Sequence, residues 1–120
     1  MKKKFKINVW TYLDEYNLYQ KQIISIVNKV FKSGNLILGK ELEKLEKNFS
    51  KFIGKKYAIG VNSGTDAILV GLMSLGVKKN DEVITVSNTA VPTISAIVSS
   101  GAKPVFVDIN EDDFLMNTSK

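Results

Sequence analysis

The stretch that decides the fold is Tyr-Ala-Ile-Gly-Val-Asn-Ser-Gly-Thr-Asp-Ala, residues 57–67. Its first five residues are mostly apolar and predict a short strand, and the Asn-Ser-Gly-Thr that follows predicts a turn. Residues 66–75 place apolar side chains at helical spacing and predict a helix that ends at Gly76. A strand, a glycine-containing turn and a helix in this order are typical of a parallel α/β unit.

The same order of elements returns further along the chain. Residues 82–86 predict a second strand, residues 93–100 a helix that ends at Gly101, and residues 103–107 a third strand. Apolar strands separated by helices of about ten residues are typical of a parallel sheet with helices on both faces. The sequence therefore predicts an α/β fold with a βαβαβ core.

Two amphipathic helices precede this core, over residues 14–33 and 40–53. Gly34 follows the first helix, where a left-handed cap is expected. The connector 35–39, Asn-Leu-Ile-Leu-Gly, carries three aliphatic side chains that need a surface to pack against. We therefore expect residues 1–54 to form a helical N-terminal segment and residues 55–120 to form the first part of an α/β domain.

The last residues predict that the fold continues. A third strand at 103–107 would lie at an unprotected sheet edge, and residues 117–120 resemble the start of another helix. We expect the chain to be the N-terminal piece of a longer protein.

Composition excludes several kinds of chemistry. The 120 residues include no Cys, no His and no Arg, so that all 17 basic residues are lysines. Disulfides, thiolate zinc sites, cysteine nucleophiles and Ser-His-Asp triads are impossible without these residues, and no metal site is predicted. The net charge of +5 comes largely from lysines at the start or interleaved with acids, which argues against nucleic acid as a partner. No apolar run could span a bilayer and no leader is visible, so we expect a cytoplasmic protein without a membrane partner.

The turn at residues 62–67 is the first candidate site, because ligands of parallel α/β sheets bind beyond the carboxyl ends of strands. Gly64 permits close backbone approach, Ser63 and Thr65 offer hydroxyls, and the first N–H groups of the helix face outward. This combination suits a phosphate monoester. From the residues alone, simple helix capping by Ser63 or Thr65 explains the pattern equally well.

Two further candidates follow the later strands. Residues 87–93 would face the same crevice, although Pro92 and Thr93 are also ordinary residues for a helix start. Asp108 ends the third predicted strand and could bind a ligand or cap a turn, of which we favour the turn.

Taken together, four blocks of sequence resemble the DegT/DnrJ/EryC1/StrS family of pyridoxal-phosphate-dependent sugar aminotransferases. The blocks are the run from Gly39 to Gly54 and residues 61–67, 81–86 and 101–108. The resemblance implies the large domain of the aspartate-aminotransferase fold (fold type I), with residues 55–120 as its first, incomplete part. It also implies pyridoxal 5′-phosphate as cofactor, a nucleotide-linked keto-sugar as substrate, glutamate as amino donor and a homodimer.

The resemblance assigns roles to particular residues. Ser63, Gly64 and Thr65 would hold the cofactor phosphate, through backbone N–H groups and the Thr65 hydroxyl. Thr89 and Ala90 would lie at the cofactor ring, with Ala90 where many members have a stacking aromatic. In the sugar site the resemblance places one residue, Gly39. Residues 88–93 resemble the branch that acts on dTDP-linked 3-keto-6-deoxyhexoses.

The family's catalytic lysine and the aspartate that pairs with the pyridine nitrogen would both lie beyond position 120. We therefore expect no catalytic residue in this chain and no transaminase activity from it alone. Three alternatives remain open: a family member with histidine in place of the lysine that acts as a dehydratase, a non-catalytic module that binds a phosphorylated ligand, and a helix-turn-helix regulator.

Overall fold

The computed structural model describes residues 11–120, so the lysine-rich start of the chain lies outside the described residues. The described part contains four helices and two strands, in the order α1 (Leu13–Ser33), α2 (Lys40–Phe52), α3 (Gly64–Ser74), β1 (Glu82–Val86), α4 (Val91–Ser99) and β2 (Lys103–Val107). They fall into two compact units, one ending at Ile59 and the other beginning at Gly60. The second unit has the mixed helix and strand composition predicted for an α/β fold.

β1 and β2 form a parallel pair in the second unit, in register from Glu82 opposite Lys103 to Val86 opposite Val107. Both strands have the predicted bounds. The connection between them contains α4, which packs on β2 and against α3. Within residues 11–120 the buried apolar side chains are those of Ala96, Ile97 and Ala102. The core of the second unit thus lies between α4 and the strand pair, and β1 leads directly into the loop before α4.

The predicted first strand, residues 57–61, is wrong: the structure has no strand there. A strand needs a neighbour with which its backbone exchanges hydrogen bonds, and the sheet within residues 11–120 consists of β1 and β2. The alternate side chains of Tyr57, Ile59 and Val61 are exposed. The expected βαβαβ core is therefore a βαβ unit preceded by α3.

The helices of the second unit begin earlier than predicted. α3 begins at Gly64 and α4 at Val91, each two residues before the predicted start, at residues 66 and 93. In both cases the first helical turn begins with two residues that the sequence assigns to a turn, directly after the N-cap residues Ser63 and Ala90. Residues 64–65 and 91–92 therefore belong to the helices themselves.

In the first unit, α1 ends at Gly34, whose φ of 71° is the predicted left-handed cap. The connector then turns sharply, with Leu38 at a φ of 50° that is uncommon outside glycine. An ion pair of 3.0 Å between Lys29 of α1 and Glu41 of α2 joins the two helices. The connector side chains Leu36, Ile37 and Leu38 are exposed, so their expected packing partner is not found among the described residues.

The chain from residue 108 onward forms a closed turn rather than a helix. Ile109 and Met116 make an antiparallel bridge, and the Asn117 side-chain oxygen accepts a bond from the Ser119 N–H at 3.0 Å. The helix whose start was predicted at residues 117–120 is not formed within these four residues. Asn117 nevertheless makes the side-chain-to-backbone bond that is typical of an N-cap residue.

Candidate functional site: the start of helix α3

Ser63 begins α3 as its cap, in an extended conformation with φ −155° and ψ 166°. Its Oγ accepts a hydrogen bond from the Asp66 N–H at 3.1 Å and donates one to Asp66 Oδ2 at 2.9 Å. The Ser63 carbonyl accepts the first helical bond, from the Ala67 N–H at 3.0 Å. The Ser63 oxygen therefore caps the helix, as one of the two sequence interpretations predicted, and the Ser63 O–H is engaged by Asp66.

Gly64 and Thr65 carry the backbone N–H groups of the first turn that the Ser63 cap does not bond. Within residues 11–120, neither of their backbone N–H groups has a hydrogen-bond acceptor. The space beside Gly64 is open, since a Cβ added there would meet no atom within 4 Å. Two free N–H groups at the positive end of a helix dipole, next to open space, can hold an anion such as a phosphate.

The second candidate loop precedes α4 and is built differently. The Thr89 and Thr93 hydroxyls lie 2.9 Å apart in a hydrogen bond, and the Thr89 N–H donates to the Ser87 carbonyl at 2.9 Å. Ala90 is the N-cap and has no side chain that could cap the helix, while Pro92 in the first turn has no N–H. This loop offers hydroxyls and an exposed small residue, Ala90, but few backbone donors.

The structure brings the two helices that carry these loops into contact, because α3 packs against α4. Among the described residues, however, no hydrogen bond joins residues 62–67 to residues 87–93. The two loops are therefore linked through helix packing.

Gly39, the predicted sugar-site residue, is the N-cap of α2. A Cβ at Gly39 would lie 2.8 Å from the Asn35 carbonyl oxygen, which is closer than van der Waals contact allows. The residue also lines a cleft of about 320 Å³ between the end of α1 and the start of α2, together with Leu38, Lys29 and Lys44. Only glycine fits this turn without a shift of the backbone.

Glu41 occupies the first turn of α2, beside the same cleft. Its Oε1 accepts bonds from Lys29 Nζ and Lys44 Nζ, each at 3.0 Å. The hydrogen bond from Lys29, followed by that from Lys44, holds the pKa of this carboxyl below its usual value of 4.5. The first turn of α2 thus contains a carboxylate, that of Glu41, whose charge is balanced by ion pairs with Lys29 and Lys44.

Asp108 closes the turn after β2. Its carbonyl accepts from the Asn117 N–H at 2.8 Å, and its Oδ2 pairs with Lys120 Nζ at 3.2 Å. These contacts agree with the favoured interpretation of Asp108 as a turn residue.

Two structural roles were missed at the level of sequence. The sequence predicts Asp66 as the first residue of a helix, and its bonds to Ser63 could have been inferred from the Ser-x-x-Asp spacing, which resembles a capping box. For Thr93 the sequence predicts only an ordinary helix-start residue, and nothing in its spacing from Thr89 indicates their hydroxyl pair.

Among the described residues, no helix is long and apolar enough to cross a membrane. Residues 11–120 also contain no group of three or more acidic side chains that could hold a metal ion.

Comparison with known proteins gives consistent results. The dTDP-3-amino-3,4,6-trideoxy-alpha-D-glucose transaminase of Micromonospora megalomicea subsp. nigra is 48% identical over 110 residues, which are 92% of this chain and 29% of the relative. The crystal structure of DesV from S. venezuelae matches with a TM-score of 0.89 and 32% identity, over 95% of this chain and 31% of that one.

A second solved structure, NtdA from Bacillus subtilis with its cofactor PMP bound, matches with a TM-score of 0.85 and 35% identity, over 99% of this chain and 28% of that one. The chain thus spans under a third of the length of these relatives. The DegT/DnrJ/EryC1/StrS aminotransferase family matches residues 17–120. Its fold, its four sequence blocks and these likenesses together place the chain in the DegT/DnrJ/EryC1/StrS aminotransferase family.

Proposed function

We propose that this chain supplies the cofactor-phosphate site and part of the substrate pocket of a pyridoxal-phosphate-dependent sugar aminotransferase. The whole enzyme would transfer the amino group of glutamate to a nucleotide-linked keto-deoxysugar, of which a dTDP-linked sugar is the leading candidate. The observation that carries the proposal is the start of α3 in a chain of this family: the N–H groups of Gly64 and Thr65 have no acceptor among residues 11–120, and the Cβ position of Gly64 is open.

The phosphate fits the donor set at Ser63–Thr65. The N–H groups of Gly64 and Thr65 would donate to the phosphate oxygens, and the Thr65 hydroxyl would add a third donor. Ser63 would contribute through its backbone and by holding the turn, because its hydroxyl is bonded to Asp66. When bound, pyridoxal 5′-phosphate would supply the aldehyde and the electron-accepting ring that amino transfer needs.

Thr89 and Ala90 would border the cofactor ring. Ala90 is exposed and small, so it leaves room beside the ring instead of stacking on it. Thr89 would present a hydroxyl oriented by Thr93. Gly39 would lie close to the sugar, in a turn that excludes any larger residue.

We further propose that residues 1–54 form the helical N-terminal segment and residues 55–120 the first part of the cofactor-binding domain. The exposed apolar side chains of α1, including Tyr19, Ile23 and Phe31, would supply part of a homodimer surface. Such a set of apolar side chains on one helix is usually covered in the assembled protein. A cytoplasmic location agrees with the absence of Cys from the sequence.

The lysine that binds the cofactor aldehyde would lie beyond residue 120, so the chain alone would not transaminate. The coding sequence past Lys120 tests this directly. A lysine in the family position supports the aminotransferase, and a histidine there would redirect the proposal to a dehydratase. A stop codon at position 121 would favour the non-catalytic phosphate-binding module.

Activity can be tested by joining residues 1–120 to the C-terminal part of the Micromonospora relative, to which the chain is 48% identical. With ¹⁵N-glutamate and a dTDP-linked keto-deoxysugar, the chimera should form a ¹⁵N-labelled aminosugar. The unfused chain is the matched control and should form none. A chimera that binds the cofactor but leaves the sugar unaminated would contradict the proposal.

A further inference from the structure

Asp66 lies in the first turn of α3 and carries a negative charge into the proposed phosphate site. Its carboxylate accepts from Ser63 Oγ at 2.9 Å, and its N–H donates to the same oxygen at 3.1 Å. These two bonds tie the extended Ser63 to the first turn of α3, directly before the N–H groups of Gly64 and Thr65, which have no acceptor among residues 11–120.

The carboxylate also interacts with the same helix dipole that would attract a phosphate. An acid in the first turn stabilises the helix, but it repels an incoming phosphate, which carries about −1.5 to −2 charges at neutral pH. A nearby lysine could cancel this repulsion. At the start of α2, two lysines neutralise Glu41 in this way, whereas no ion pair in residues 11–120 involves Asp66.

We infer that Asp66 is a positioning residue with two opposing effects on phosphate binding. Its hydrogen bonds to Ser63 hold the turn in its binding conformation, while its charge weakens the affinity for phosphate. The inference rests on the proposed function, because it assumes that a phosphate binds at Gly64 and Thr65.

Asp66→Asn separates the two effects, because the amide keeps an oxygen that can accept from Ser63 and the backbone N–H is unchanged. We expect this variant to bind inorganic phosphate about fivefold more tightly than the unaltered chain at low salt. The gain should shrink in 1 M NaCl, where the Debye length falls to about 3 Å. Glu82→Gln is the matched control. It removes one carboxylate from the amino end of β1 and should change the affinity less than twofold.

Asp66→Ala removes the charge and the side-chain acceptor together. It should bind phosphate more weakly than Asp66→Asn, because Ser63 keeps only the bond from the residue 66 N–H and loses the acceptor of its hydroxyl. Equal affinity of the two variants would contradict the positioning role. Melting curves of both variants establish that each is folded under the conditions of the titration.

The readout is the shift of the Gly64 and Thr65 amide signals in ¹H–¹⁵N correlation spectra as inorganic phosphate is added. If these signals do not move in the unaltered chain, the phosphate site of the proposed function is wrong and the inference falls with it. If they move but Asp66→Asn binds no more tightly, the phosphate site stands and the charge effect is contradicted. A gain that is independent of salt also contradicts the charge effect.

Discussion

Helices α3 and α4 pack against each other and each begins after a polar loop, yet their first turns offer different groups to a ligand. α3 has a serine cap and then a glycine whose Cβ position is open, and the N–H groups of Gly64 and Thr65 have no acceptor among the described residues. α4 has an alanine cap and a proline in its first turn. The Thr93 N–H donates to the Ala90 carbonyl oxygen at 3.0 Å. In the first turn of α4 this leaves the Val91 N–H without an acceptor among the described residues.

A polar loop followed by a helix start is therefore not enough to offer an anion free donors. The N-cap side chain must accept from one backbone N–H of the first turn and leave other N–H groups without an acceptor. The first helical residues must also have an N–H group, which proline lacks, and must leave space for the anion. α3 meets these conditions and α4 does not. We therefore propose that the phosphate binds at α3 and the cofactor ring at the loop before α4. Three predictions test the first turns of these two helices, and a fourth tests the first turn of α2 for comparison.

The largest effect is expected from Gly64→Pro. Proline is well tolerated at the first helical position, and the extended Ser63 suits a residue that precedes proline. The variant should stay folded but lose the Gly64 N–H, with phosphate-ester affinity falling about tenfold or more, or about 1.4 kcal/mol. Calorimetric titration with pyridoxine 5′-phosphate measures this loss.

Gly64→Ala is the control for that prediction. It keeps the N–H and places its Cβ in open space, so it should not lower the free energy of unfolding and should lose less affinity than Gly64→Pro. If proline and alanine are equivalent, the N–H group is not the ligand.

A second prediction exchanges the caps of the two helices. Ser63→Ala should lower the free energy of unfolding by about 1 kcal/mol, because the bond to the Asp66 N–H is lost. Ala90→Ser should raise it by up to about 1 kcal/mol, since Ala90 already has an extended N-cap conformation, with φ −74° and ψ 147°. Urea unfolding measures both changes. A neutral Ser63→Ala would show that the cap bonds do not hold α3.

A third, smaller effect concerns the hydroxyl pair of Thr89 and Thr93. Thr93→Val keeps the shape of the side chain and removes the bond of 2.9 Å. We expect a loss of about 0.5–1 kcal/mol in the free energy of unfolding. Thr93→Ser keeps the hydroxyl and is the control. If Thr93→Val costs nothing while Thr93→Ser lowers the free energy of unfolding, the hydroxyl bond contributes nothing and the methyl group accounts for the contribution of Thr93.

The smallest effect is expected at the start of α2, whose first-turn carboxylate is exposed. The lysine contacts hold the pKa of Glu41 below 4.5 in the folded chain, so its stabilising contribution is present above pH 4.5 and is lost as the pH falls below it. Glu41→Gln should therefore be slightly less stable than the unaltered chain at pH 7 and equal to it at the acid end. Thermal melts across this range test the sign, and a difference that persists in acid contradicts it.

Glu43→Gln is the matched control for Glu41, because Glu43 lies on the same helix and no ion pair to it is found in residues 11–120. The difference in melting temperature between Glu43→Gln and the unaltered chain should not show the loss between pH 7 and acid that is expected for Glu41→Gln.

Much of the fold could be predicted from local pattern. Residues 82–86 and 103–107 are strands with the predicted bounds, because apolar runs between turn residues are a strong local signal. Residues 57–61 carry the same kind of signal but form no strand. Local sequence indicates a preference for an extended backbone, but a strand also needs hydrogen bonds to a partner strand, which local sequence does not specify.

The candidate site was predictable in its composition but not in its bonding. The sequence indicated a helix start with Ser63, Gly64 and Thr65, and it left capping and phosphate binding as equal alternatives. In the structure the Ser63 hydroxyl caps α3, and the N–H groups of Gly64 and Thr65 have no acceptor among residues 11–120, which leaves them available for the proposed phosphate. The direction of a hydroxyl is set by its neighbours in space, which spacing alone does not give.

The most direct test of the central claim is to map the phosphate of the cofactor onto the chain. Pyridoxine 5′-phosphate and pyridoxine differ in the phosphate alone, and neither has an aldehyde that could react with the 17 lysines. We predict that the phosphate ester shifts the amide signals of Gly64 and Thr65 while pyridoxine leaves them in place. Phosphate-dependent shifts at Val91 and Thr93 instead, or equal shifts with both compounds, would contradict the assignment of the phosphate to the start of α3.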